Sequence, residues 1–276
     1  LPIHPTPTTY ARMGRFGSPF AALDLKGGDP ALAEFDRRTT PLDQFRELVD
    51  AVHAWGGRLW MDLPLNHTGW ASRLQVRRPD WFVRREDATF RSPGAWGVTW
   101  EDLSELDYSN RELWRYVAGV LLYWCRLGVD GFRCDAGYMI PAEVWDYVTA
   151  RVRDAYPSTV FLLEGLGGRW EAVEGLVRER GLNWAYSELF QCYTRGDIEH
   201  SLLHAHRFSS SNGTLIHFCE THDNDRLAST SIPYARMRTA MAALFSERGA
   251  FGMSNGVEWF AEEKVDVHGA SDLRWG

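Results

Sequence analysis

The sequence predicts an α/β protein of the (β/α)8 barrel class, apparently lacking the first strand. Three observations predict it. Short apolar runs alternate with longer amphipathic segments, the rhythm of strand and helix around a parallel sheet. Most of the runs are apolar on both alternations, as strands buried on two faces are. No GxGxxG or GKS loop follows any run, which sets aside a nucleotide-binding sheet. The 276 residues also match the ~250 that a barrel typically occupies.

In chain order, strands are expected at residues 1–3, 58–63, 129–134, 160–163, 184–187, 215–219 and 250–253. Between them, Thr40 and Pro41 open a helix that runs to about Trp55, with Gly56 and Gly57 as its stop. Ser109 is the expected cap of a helix through Leu127, with Glu112 in the capping-box position and Gly128 at the end. Further helices are expected from Pro141 to just before Pro157, and over residues 170–180, 197–206 and 234–248. Nothing helical is visible after Met253. Residues 1–276 thus read as one partial barrel, and residues 67–108, rich in Arg, Trp, Pro and Gly and without a clear period, as an inserted excursion over its top.

Composition narrows the function classes. Thirty Lys and Arg against 37 Asp and Glu give a net charge of -7, and nucleic-acid binding wants a basic stripe instead. No stretch reaches the ~20 apolar residues of a membrane helix, and no signal-peptide pattern opens the chain. Cys125, Cys134, Cys192 and Cys219 show no CxxC spacing and lie in or beside apolar runs, so free thiols in a reducing, cytoplasmic setting are expected. Thirteen Trp residues suit both core filling and stacking on sugar rings.

Barrel chemistry sits at the C-terminal ends of strands. There the sequence places Asp62 through His67, Arg133 through Asp135, Glu164, and Glu220 through Asp225. Each has a plain structural reading alone: Asp62 as a hydrogen-bond acceptor, His67 as a buried histidine, Arg133 with Asp135 as an ion pair. Their order along separate strands points to a single mouth, where a buried acidic cluster requires chemistry or a cation.

DLPLNH (62–67), GFRCD (131–135), Glu164 after an apolar strand, and THDND (221–225) resemble the four ordered motifs of the alpha-amylase family of glycoside hydrolases. SELDY (104–108) is similar to that family's fifth motif, at the end of its inserted B domain. The resemblance implies a (β/α)8 barrel with a B domain after strand three. It implies Asp135 as nucleophile, Glu164 as general acid/base and Asp223 as a third carboxylate on the ring hydroxyls. Arg133 would orient Asp135, His67 and His222 would bind the sugar, and Asp62 and Asn66 would brace the site. Phe20 is assigned the sugar-stacking place in which the family usually carries Tyr. Tyr138 and Met139 stand where many starch-degrading members carry Lys-His, a departure on the acceptor side. No cofactor is required; Asn66 is the calcium candidate, without an Asp-rich loop to support it.

Physical chemistry adds two expectations. Arg133, two residues from Asp135, should lower the pKa of that carboxyl, and the apolar strand before Glu164 should raise its pKa toward a general acid's range. A carboxyl separation of ~5–5.5 Å would then give retention of configuration. The activity read from these residues is a retaining α-glycosidase acting on glucans or maltooligosaccharides, with an α-glucan transglycosylase as its neighbour. The partner is an α-glucan or oligosaccharide, with neither nucleic acid nor membrane; the sequence leaves oligomeric state open. The rivals are a noncatalytic carbohydrate-binding relative, an inactive fragment, and a metal-dependent barrel hydrolase using Asp62, His67, Glu164, His222 and Asp223. The last would expect clustered His ligands, such as HxH on the first strand, where none is seen.

Overall fold

The computed structural model describes residues 2–7, 10–211 and 213–269. Helix α1 (Pro41–Ala54) starts at a reciprocal cap: Thr40 Oγ1 accepts from the Asp43 N–H and the Asp43 carboxylate accepts from the Thr40 N–H. Strand β1 (Trp60–Pro64) follows, then β2 (His67–Gly69), α2 (Arg73–Arg77), β3 (Gly94–Ala95), β4 (Val98–Thr99) and β5 (Leu103–Glu105). Next come α3 (Arg111–Arg126), β6 (Gly131–Asp135), α4 (Ala142–Ala155), β7 (Val160–Leu163), α5 (Trp170–Glu179), β8 (Trp184–Tyr186) and α6 (Arg195–Ser211). The chain closes with β9 (Thr214–His217), α7 (Leu227–Thr230), α8 (Ile232–Phe245) and β10 (Ala250–Phe251). A 3₁₀ turn at Val257–Trp259 corrects the expectation of no helical structure beyond Met253. The cap of α3 is Asn110, not Ser109: the Asn110 side chain accepts from the Glu112 N–H, while the Ser109 N–H donates to Asp107. Asn110 is the better-placed Asx side chain for the same job.

The central sheet has six strands in the order β1-β6-β7-β8-β9-β10, every neighbouring pair parallel. This is the barrel-type α/β arrangement, with right-handed helical crossovers expected for such units. Residues Pro2 and Ile3 form no strand, and Leu1 lies outside the described residues. The Ile3 and Pro5 carbonyls accept from the Asp29 and Leu23 amides, in loops, so this segment pairs with loop backbone instead of with β1.

Alternation along the strands assigns two environments. Met61, Leu63, Phe132, Cys134, Phe161, Leu163 and Ala185 face the helices and pack with Leu113, Val117, Leu121 and Trp124 of α3 and Trp145 of α4. The other face turns inward. There Leu162, Ile216 and Phe218 pack with Trp60, Trp184 and Tyr186, and the Trp60 and Trp184 rings meet edge-on at 4.9 Å. Gly131 is required by that floor: a Cβ on it would lie 2.9 Å from Trp60 Cδ1 and from the Val160 carbonyl oxygen. On β1, β6 and β7 the residues two steps beyond Trp60, Gly131 and Leu162 are the charged Asp62, Arg133 and Glu164, the last just past the strand's end.

Over residues 67–108, β2 pairs antiparallel with β5, and β3 with β4. The return of this segment is tied to the end of β1: the Tyr108 hydroxyl donates to the Leu65 carbonyl at 2.5 Å and the Leu106 N–H to the Asn66 carbonyl at 3.1 Å. No helix among the described residues is long and apolar enough to cross a membrane.

Candidate active site

The sheet register brings the charged groups together. Asp62 of β1 lies opposite Arg133 of β6, and two residues further along β6 is Asp135. Cys134 pairs with Leu163, so the next level up holds Asp135 beside Glu164, on strands spaced ~4.8 Å apart. One guanidinium nitrogen of Arg133 donates to both Asp62 oxygens, at 2.8 and 2.9 Å, and to Asp135 Oδ1 at 2.7 Å. Glu164 accepts from two backbone amides, Ala136 at 2.9 Å and Leu166 at 3.0 Å. Ala136 itself has a left-handed backbone (φ 47°), a costly conformation for Ala, and this turn aims its N–H at Glu164.

Burial governs the protonation of this cluster. Asp135 is pushed up to about 7, because loss of solvent outweighs the attraction of Arg133, and Asp62 and Glu164 add repulsion. This corrects the expectation of a lowered value: the guanidinium is shared with Asp62 and neutralises only part of three neighbouring carboxylates. Glu164 is also raised by burial, against the lowering effects of Arg133 and its two amide donors.

The rings expected around the sugar divide into two sets. His67 is buried, with Nε2 3.8 Å from Asp135 Oδ2, too far for a hydrogen bond. Burial pushes its pKa down to about 3, against a smaller opposing effect of the Phe20 backbone, so it stays neutral. Phe20 is half-buried rather than core: its ring stacks on His222 at 5.8 Å and an interplanar angle of 19°, and the Arg133 guanidinium lies 5.7 Å from its centre. Burial lowers the His222 pKa. Asp223 is not brought into the cluster. Its side chain is 73% exposed, on the loop after β9, with Oδ2 3.5 Å from His222 Nε2. Asn66 is buried and turns its amide nitrogen toward Met139 Sδ at 3.7 Å. A thioether is a poor neighbour for the oxygen shell of calcium, so the surroundings of Asn66 do not fit that ion.

These groups border one cavity of about 1240 Å³, whose wall includes Asp135, Glu164, His67, His222, Asp223 and Phe20. Three contributions escaped the sequence reading. Tyr186 of β8 borders the cavity and holds its ring 5.9 Å from the Arg133 guanidinium. Trp96 arrives from the β3–β4 hairpin, and its Nε1 donates to the Gly167 carbonyl at 3.4 Å. Glu220 pairs with Arg226 at 2.6 Å, both buried, and ties down the two ends of the loop that carries His222 and Asp223. Tyr186 and Glu220, both at strands' C-terminal ends, carry a signal in the sequence; it places Glu220 at the mouth but does not foresee the pairing with Arg226.

Residues 39–164 match the family model of the alpha amylase catalytic domain. The chain is 29% identical over 176 residues to the alpha-1,4-glucan:maltose-1-phosphate maltosyltransferase of Myxococcus xanthus, covering 59% of this chain and 26% of that protein. It is 24% identical over 256 residues to an intracellular maltogenic amylase of Bacillus subtilis, covering 84% of this chain and 40% of that one. The chain therefore spans well under half the length of these relatives. The solved alpha-amylase of Lactobacillus plantarum superposes with a TM-score of 0.80 at 27% identity, covering 97% of this chain and 65% of that one.

Proposed function

We propose, from the premise that the chain belongs to the alpha-amylase family, that it is a retaining α-glycosidase acting on α-glucosidic bonds of glucans or maltooligosaccharides. One observation carries the reading: Arg133 and Asp135 of β6 and Glu164, just past the end of the adjacent β7, stand above an aromatic floor in the wall of a large cavity, with Asp62 of β1 holding Arg133 from behind.

The chemistry follows from who holds which proton. Burial pushes Asp135 up to about 7, and the charge-assisted hydrogen bond from Arg133 opposes that rise and favours the ionised form that attacks. Among the described residues Glu164 forms no ion pair, and burial favours its acid form against the attraction of Arg133 and its two amide donors. Asp135 attacks the anomeric carbon while Glu164 gives its proton to the departing glycosidic oxygen, leaving a glycosyl ester on Asp135. Glu164, now a carboxylate, takes a proton from the incoming hydroxyl, whose oxygen attacks the same carbon and releases Asp135. Two inversions restore the original configuration. His222 and Phe20 supply a polar edge and an apolar face for the sugar held at Asp135, and the Asp223 loop brings a further carboxylate to its rim.

The same ester serves water and sugar acceptors, so transfer is the second outcome of one mechanism. The relatives' names, maltosyltransferase and maltogenic amylase, support an α-glucan as the substrate class. A time course on maltoheptaose, followed by NMR of the first-formed anomer, tests the reading. Expected are α-configured products from the native chain and a loss on the order of 10³-fold in Asp135→Asn. A β-configured first product, or near-native turnover by the variant, would overturn it.

A further inference from the structure

The β3–β4 hairpin turns at Trp96 and Gly97, which both have left-handed backbones (φ 52° and 79°). A two-residue turn with positive φ at both positions favours Asn or Gly in its first place, and a bulky aromatic there is an outlier. The indole has a specific seat. It lies on the turn that follows Glu164, where Gly167 also has positive φ (71°), and a Cβ on Gly167 would come 2.3 Å from Trp96 Nε1. The next residue, Gly168, supports a second ring: its Cβ would lie 3.3 Å from Tyr138 Cγ. Trp96, Tyr138 and Glu164 border the same cavity, and the Trp96 side chain keeps most of its surface exposed. An oxygen protonated by Glu164 belongs to the leaving sugar, and the acceptor later re-enters by the same side. The turn immediately after Glu164 therefore flanks the acceptor.

We propose that Trp96, seconded by Tyr138, is a specificity-determining residue that makes a neutral pyranose the preferred acceptor over water and over phosphate. Rings offer the C–H face of a sugar a large apolar contact that water cannot use. Charge on this side disfavours an anion: the Gly167 N–H is already held by the Glu188 carboxylate at 2.8 Å, and Glu164 is adjacent. Among the described residues bordering the cavity the arginines are Arg12 and Arg133, and Arg133 is engaged by Asp62 and Asp135. The inference rests on the glycosidase reading and names its acceptor.

The test uses α-maltosyl fluoride as donor, which needs no sugar on the leaving side, with maltose or inorganic phosphate as acceptor. The native chain is expected to form maltotetraose in excess of hydrolysis and no maltose 1-phosphate. Trp96→Asn suits the turn backbone and removes the ring; it should lower the transfer-to-hydrolysis ratio roughly tenfold, and Trp96→Phe should restore most of it. An unchanged ratio in Trp96→Asn, or sugar phosphate made by the native chain, overturns this inference alone. A folded native chain inert toward the fluoride overturns the glycosidase reading, and this inference with it.

Discussion

At the scale of single residues, Arg133 sets the charge balance of the site because one guanidinium nitrogen serves two carboxylates. Burial, only partly offset by that shared guanidinium, pushes Asp135 up to about 7, and stability should depend on pH in a definite direction. Between an unfolded value of ~3.9 and the folded value, the folded chain holds a proton that the unfolded chain has lost. Stability therefore falls as pH rises through that window and levels off above it. Asp135→Asn removes this dependence, so its melting temperature should gain on the native chain between pH 5 and pH 8. Thermal melts across that range check it, and a constant difference would contradict the burial argument. Residue identity at this scale was legible where a motif demanded it, as at Asp62, Arg133 and Glu164. The sign of the Asp135 shift was not, since desolvation and the sharing of Arg133 with Asp62 arise only when strands pair. Gly131 shows the same limit: its need is a clash with Trp60 of another strand.

At the scale of elements, the loop between β9 and α7 is held by its ends. Arg226 is buried, bonds Glu220 at 2.6 Å and also donates to the Asn255 carbonyl at 2.6 Å. Removing one partner leaves a buried charge alone, at a cost of about 3 kcal/mol or more. Arg226→Met should therefore lower the melting temperature by about 10 °C, by size scaling. Arg78→Met, which breaks exposed pairs to Asp80 and Glu112, should change it by no more than a degree or two. Comparable losses in the two variants would contradict the anchoring role. Helices with caps and stops were readable, as at Thr40 and Pro41 with Gly56 and Gly57, because their signals are local. The hairpins within 67–108 were not: strands of two or three residues carry too short a pattern for periodicity, and their pairing is a long-range property. Asp223 sits in a motif, yet its exposure depends on how the Glu220–Arg226 anchor lets the intervening loop stand.

At the scale of the whole molecule, the barrel-type sheet divides its two faces between jobs, a helix-facing core and an inward face of aromatic floor and charged rim. Runs apolar on both alternations told only that the strands are buried on two faces; the split between the faces, and the gathering of groups from loops as distant as Phe20 and His222, required the fold. The net charge of -7 belongs to the surface and has no counterpart in a neutral glucan. KM for maltoheptaose should thus vary less than about twofold between 50 and 500 mM NaCl, since screening acts on steering between charges. A steep salt dependence would point to an anionic substrate instead. The central claim, that Asp135 carries the sugar between the two half-reactions, is tested most directly by trapping. The native chain is incubated with 5-fluoro-α-D-glucosyl fluoride and then analysed by intact mass and peptide mapping. One added fluoroglucosyl group, on the peptide containing Asp135 and absent from Asp135→Asn, is the predicted result; a label on Asp223 or Glu220, or none on a chain that still cleaves maltoheptaose, would contradict it.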